Sequence, residues 1–151
     1  MTQKKLIIFM PSIEGGGVEK NLFIVTNYLS EKIKNVFILT TSYKFKKIFN
    51  KQINLILPKK KFWNELSRRL KYLICIILLI KFLLKNKNSV VFAFQANLYC
   101  ILVCKLLSVK IIVRSNSAPE GWSKNFIKKF LYKKIIKKAD KIMVNSHDFK
   151  T

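Results

Sequence analysis

Residues 10–23 read MPSIEGGGVEKNLF, directly after the apolar run LIIFM. The whole chain has four glycines, and three of them stand here together. Glycine allows a positive φ and lets another group come close to the backbone. A strand, a glycine turn and a helix in succession aim backbone N–H groups and the positive end of the helix dipole at one point. The visitor this geometry favours is an anionic group on a ligand, although a tight turn alone would also account for glycine. A side chain at Gly16 is expected to stand where a ligand approaches, whereas Gly17 is a poorer place to test this, because its turn geometry itself calls for glycine.

Working outward, short apolar runs alternate with helical patterns. KKLIIFM, NVFILTT, INLILP, SVVFAFQ, KIIVRS and KIMVNS read as six strands without in/out alternation. Between them, VEKNLFIVTNYLSEK carries Leu22, Val25 and Leu29 on one stripe, one long helix is expected over 62–85, and NLYCILVCKLLS and NFIKKFLYKKIIKKA read as two more. Continuously apolar strands separated by helices imply a parallel sheet covered on both faces. Right-handed crossovers then give an α/β, doubly wound, Rossmann-like sheet, with expected strand order 3-2-1-4-5-6. Ligands of such sheets bind beyond the carboxyl ends of the strands, at the switch point between strands 1 and 4. The glycine loop and Gln95–Asn97 should therefore lie side by side, near RSNSAPEGW and NSHDF.

The 151 residues suffice for one domain, and half of them are hydrophobic, which excludes disorder. Thirty Lys and Arg against seven Asp and Glu give a net charge of +23. Two accounts of this excess stand side by side: a polyanionic partner, or the Lys-, Asn- and Ile-rich composition of AT-rich coding. Cys75, Cys100 and Cys104 lie inside apolar helical patterns, without ligand-like spacing to the single histidine. They are expected in the core of a protein from a reducing compartment, with neither a disulfide framework nor a metal site. LIIFM is too short for a signal peptide, and YLICIILLIKFLL, interrupted by Lys81, is too short to span a bilayer.

The dinucleotide fingerprint fails, because Lys20 stands where its third glycine should be and no acid closes the second strand; the P-loop pattern fails as well. PSIEGGGVEKNLFIVTNYL instead resembles the start of the retaining GT-B glycosyltransferases of family 4. IIVRSNSAPEGWS continues the likeness, and KKADKIMVNSHDFK is similar to the AD-x-I-x-x-x-S stretch that closes their N-terminal domain. The resemblance spans nearly the whole chain and implies that residues 1–151 are the acceptor-side, N-terminal half of a GT-B fold. It implies a cytoplasmic hexosyltransferase of polysaccharide biosynthesis, moving sugar from a nucleotide-sugar donor to a lipid-linked or polysaccharide acceptor without a cofactor. The donor domain of the family has no counterpart in these residues. A fragment or one half of a split enzyme is therefore expected, inactive alone, with its catalytic residues unassigned.

By the same resemblance, Gly15, Gly16, Gly17 and Glu19 would face the donor–acceptor cleft with Gln95, Asn97, Arg114 and Asn116. Where many relatives carry a histidine, this loop reads Arg114-Ser115-Asn116. Arg114 could hold an anionic acceptor group, or form a structural ion pair with Glu120 or Glu19. His147 reads as a capping or surface residue, and Ser146 as a helix cap. NFIKKFLYKKIIKKA pairs apolar residues with lysines and is expected to set its lysines on one face. With KKKFWNELSRRLKYL, it suits either docking on the anionic inner leaflet or an ordinary solvated surface. A basic nucleic-acid-binding module is the alternative function, disfavoured because the lysines are dispersed and no known nucleic-acid signature is present.

Overall fold

The computed structural model describes residues 4–59, 61–95, 97–115 and 126–144. Six strands run through it: β1 (Lys5–Phe9), β2 (Val36–Leu39), β3 (Asn54–Ile56), β4 (Ser89–Ala93), β5 (Lys110–Ser115) and β6 (Lys141–Val144). Four α-helices connect them: α1 (Gly17–Lys32), α2 (Arg68–Lys85), α3 (Asn97–Leu106) and α4 (Phe126–Ile136). The strands form one sheet in the order β3-β2-β1-β4-β5-β6, as the crossover rule predicts. Every pairing is parallel, with Ile8 opposite Ile38 on one side and Phe92 on the other.

Successive side chains of the inner strands enter opposite layers. Ile7, Phe9, Val91, Ala93, Ile111 and Val113 pack with Cys75 and Leu79 of α2 and with Cys100 and Cys104 of α3. Ile8, Met10, Ile38, Phe92 and Phe94 pack on the other side with Leu22 of α1 and with Phe49 and Ile53. The runs of β1, β2, β4 and β5 show no alternation because both faces of the sheet are buried there, whereas β6, expected to be covered like the rest, is an edge strand with Lys141, Ile142 and Met143 exposed. The three cysteines are fully buried and free, as their apolar setting implied.

Three local expectations change. The helix expected over 62–85 is broken: a 3₁₀ turn covers Lys61–Asn64, and α2 starts only at Arg68. Ser67, the N-cap of α2, has φ −56° and ψ 151°, outside the helical region, so no continuous helical path joins the two. In α1, Thr26 and Ser30 are buried beside Leu22, whereas Val25 and Leu29 are only partly covered. Ser30 sits inward because Asn50 Nδ2 donates to its hydroxyl at 3.2 Å, while the Asn50 N–H donates to Asn27 Oδ1 at 3.0 Å. These bonds tie α1 to the segment after a second 3₁₀ turn, Tyr43–Ile48, which periodicity did not reveal. In α4, Ile136 is buried and Ile135 partly so, but Ile127, Phe130 and Leu131 are exposed among the lysines. The apolar residues of α4 thus serve two faces, not one.

Candidate functional site

β1 ends between its two neighbours. The Met10 N–H donates to the Leu39 carbonyl (3.1 Å), and the Phe94 N–H donates to the Phe9 carbonyl (3.0 Å). The chain leaving β1 is then held on both sides. Thr41 donates its N–H (3.0 Å) and its hydroxyl (2.8 Å) to the Pro11 carbonyl. The Ile13 N–H donates to Ser42 Oγ at 2.9 Å. On the β4 side, the Ser12 N–H donates to Gln95 Oε1 at 3.3 Å. The glycine loop and the loop after β4 therefore meet at the switch point, as the strand order requires.

Pro11, Ser12 and Ile13 are buried, and the chain emerges at Glu14 to present Gly15, Gly16 and Gly17 at the surface. Gly15 is the glycine that adopts a positive φ, +96°. Gly17 opens α1 with nothing within 4 Å of a Cβ built on it. The turn's need for glycine thus falls on Gly15 rather than on Gly17, and an added side chain would meet open space at either of those two positions. Gly16 is the N-cap and offers no side chain to the first turn. A Cβ on it would stand 3.0 Å from Glu19 Oε2. Glu19 is only 6% exposed. Its carboxylate turns back on the loop, where Oε1 accepts from the Glu14 N–H at 3.5 Å.

Glu14 itself was not singled out by its sequence context. Its Oε1 accepts from the Ser12 hydroxyl and its Oε2 from Arg68 Nη2, both at 2.9 Å. The Ser12 hydrogen bond, followed by the Arg68 charge, holds its carboxyl below the ordinary value. This pair joins the start of α2 to the glycine loop across 54 positions of sequence, a separation that leaves no local signal.

Gln95, Asn97 and Arg114 come together at the carboxyl ends of β4 and β5, beside that loop. Asn97 opens α3 and donates its Nδ2 to the Arg114 carbonyl at 2.7 Å. Asn97 Oδ1 is buried and has no hydrogen-bond partner among the described residues. Arg114 is 8% exposed, with its guanidinium 5.4 Å from the Phe94 ring centroid. Burial lowers its pKa, yet a guanidinium stays protonated at any physiological pH, so a cation lies against the Phe94 ring near this edge of the sheet. Asn116, with Glu120, Ser146 and His147, lies outside the described residues.

Neither a family model nor a curated protein matches the sequence. Among solved structures, MurG of Acinetobacter baumannii aligns over 97% of this chain at 13% identity, with a TM-score of 0.56. A UGT transferase from Siraitia grosvenorii, solved in complex with UDP, aligns over 78% at 15% identity, with a TM-score of 0.47. The chain spans 43% of the MurG chain, under half of its length. What the MurG likeness establishes is architecture: this is a Rossmann-like, all-parallel α/β domain with the fold of one part of a GT-B structure.

Proposed function

We propose that this chain is the acceptor-side, N-terminal-type half of a retaining GT-B glycosyltransferase of family 4. It would move a hexose from a nucleotide-sugar donor to a lipid-linked or polysaccharide acceptor. The observation that carries this reading is the meeting, at the switch point of a MurG-like sheet, of an uncapped glycine turn with Gln95, Asn97 and Arg114. An anionic oxygen can take the place of a capping side chain at the start of α1, where backbone N–H groups and the helix dipole favour negative charge. Arg114, near the end of β5, and the Asn97 amide, at the start of α3, lie beside it, suited to orienting a polar or anionic acceptor. The donor pocket would belong to a nucleotide-sugar domain beyond these residues or on another chain. Closure of two such halves excludes water and sets donor and acceptor in one geometry, which half a cleft cannot do.

The test is transfer of labelled sugar by residues 1–151 alone, and again after fusion to, or mixing with, a nucleotide-sugar domain. The expected result is no transfer alone, transfer in the assembled enzyme, and retention of anomeric configuration in the product by NMR. Robust transfer from residues 1–151 alone, or an inverted product, overturns the reading.

The exposed face of α4 supports peripheral docking on an anionic leaflet of the cytoplasmic membrane. Lys128, Lys133 and Lys134 are exposed there together with Ile127, Phe130 and Leu131, and Lys137 and Lys138 are exposed in the turn just after it. No helix among the described residues is long and apolar enough to cross a membrane. Each basic residue near an anionic leaflet contributes about 1 kcal/mol. Changing Lys133, Lys134, Lys137 and Lys138 to Glu should release the protein from anionic vesicles. Equal sedimentation of the unaltered chain with neutral and anionic vesicles refutes the electrostatic part. Binding to duplex DNA without vesicle binding would favour a nucleic-acid module.

A further inference from the structure

The amino ends of the strands, opposite the candidate site, hold a depression of about 550 Å³ that gathers Lys5, Asn35, Lys85, Asn86, Lys87 and Asn88. Lys5 opens β1, and the turns that lead into β4 and β2 close around it. The Lys5 N–H donates to the Asn88 carbonyl (3.1 Å), and the Leu6 N–H donates to the Asn35 carbonyl (2.9 Å). Lys5, Asn35 and Asn86 are half-buried, with Lys85, Lys87 and Asn88 exposed around them.

Lys5 is held in place rather than left to sweep through solvent. Its ammonium donates to Asn86 Oδ1 and lies 5.8 Å from the ring centroids of both Phe37 and Phe82. The Asn86 amide is fixed in turn, since its Nδ2 donates to the Phe82 carbonyl at 2.9 Å. Lys85, in the last turn of α2, answers the partial negative charge of that helix end. Such an end carries only about half an elementary charge, so one lysine suffices for it and three exceed it. None of the three lysines forms an ion pair among the described residues, and no acidic residue is among the described ones that line the depression. Three cations therefore converge on one hollow with three carboxamides, each of which can both donate and accept.

We propose that this depression binds a small phosphate ester rich in hydroxyl groups, a sugar phosphate by class, with its phosphate at Lys5 and Lys87 and its hydroxyls at the asparagine amides. The ammonium groups suit the phosphate, the carboxamides suit the hydroxyls, and the volume exceeds what a bare phosphate would fill. An extended polyanion is met by charges strung along a face, whereas these converge. The depression lies at the far end of β1 from the glycine loop, and the proposal stands or falls independently of the glycosyltransferase reading.

The probe is glucose 6-phosphate, titrated into residues 1–151 by calorimetry and amide NMR at physiological ionic strength, which screens the general charge of +23. The side-chain amide signals of Asn35, Asn86 and Asn88 should shift and saturate. The ester should bind about tenfold more tightly than orthophosphate, the worth of two hydroxyl hydrogen bonds, and neutral glucose should not bind. Lys5→Gln should weaken the ester by about tenfold or more, and Lys87→Gln by about twofold to fivefold. Asn88→Ala should weaken the ester by about twofold to fivefold and leave orthophosphate unchanged. Lys46→Gln with Lys47→Gln, exposed beyond the other end of β2, removes two charges and should leave binding within about twofold. Equal loss in that control overturns the proposal, by making the affinity a property of the net charge. Shifts confined to Gly15–Gly17, orthophosphate binding as tightly as the ester, or unaltered binding in both Lys5→Gln and Lys87→Gln overturn it too. Binding to anionic vesicles or duplex DNA without binding of the ester does the same. Should Lys5→Gln fail to fold, Lys87→Gln with Asn88→Ala, both at exposed positions, decides the matter: unaltered ester binding there refutes the site.

Discussion

The three glycines make separable demands, so three substitutions should give three different results. Alanine at Gly15 must occupy φ +96°, a conformation that L side chains rarely adopt. The strain is on the order of 1–3 kcal/mol. For a domain of this size, each kcal/mol moves the melting temperature by about 2–4 °C, so Gly15→Ala should melt several degrees lower. At Gly16 the new Cβ meets a carboxylate oxygen at 3.0 Å, the far end of a flexible side chain. Glu19 can shift, at the expense of its long bond to the Glu14 N–H. Gly16→Ala should therefore lose about 1 kcal/mol or less. At Gly17 a side chain meets open space. Gly17→Ala should hold or raise stability by up to about 1 kcal/mol, because it restricts the unfolded chain. Thermal unfolding by circular dichroism of the three variants measures this order directly. In the assembled enzyme, Gly17→Val should then cut transfer by about tenfold to a hundredfold, the worth of a lost hydrogen bond to a charged group. It should do so without a loss of stability, which makes it a cleaner probe than Gly16→Val. A Gly15→Ala protein melting within a degree of the parent would refute the assignment of strain. A Gly17→Val enzyme that works normally would leave the loop as only a turn.

Asp140 accepts from Lys105 Nζ at 2.9 Å and from the Ile111 N–H at 2.7 Å, and these bonds hold its carboxyl below the ordinary value, the Lys105 bond first. A carboxyl lowered by folding contributes stability above its unfolded pKa and loses it as pH falls through the folded one. Because the side chain is more than a third exposed, Asp140→Ala should remove only about 1 kcal/mol at neutral pH. Urea midpoints should also show a shallower acid decline in the variant, and parallel pH profiles would contradict the assignment. Burial pushes the Cys75 and Cys104 thiols up to about 12 and Cys100 well above its ordinary value. At pH 8 all three should react with a disulfide reagent only as fast as the protein opens; labelling within minutes of a fully folded sample would count against the core placement. Thr26 is fully buried, and its hydroxyl has no hydrogen-bond partner among the described residues. Thr26→Val keeps the shape and removes an unsatisfied polar atom, so it should stabilise by about 1 kcal/mol in urea titrations. A loss of stability would mean that the hydroxyl is bonded after all.

The layers were legible in the sequence. Six apolar runs between helical patterns imply a parallel sheet buried on both faces, and the handedness of crossovers allows few orders, so β3-β2-β1-β4-β5-β6 and the meeting of the Gly15–Gly17 and Gln95–Asn97 loops could be stated before any coordinates. Those are consequences of local periodicity and chain connection, which a linear string carries. Tertiary structure alone decided how each helix is rotated and where it starts. It broke the helix expected over 62–85 at Ser67, faced Thr26 and Ser30 of α1 inward, and divided the apolar residues of α4 between two faces. It also set the positive φ on Gly15, folded Glu19 back behind the loop, and brought Arg68 to Glu14. None of these has a local signature. Each depends on contacts between residues distant in sequence, whose geometry is set only when the packed layers select one rotation and one register from the several that the same periodicity permits.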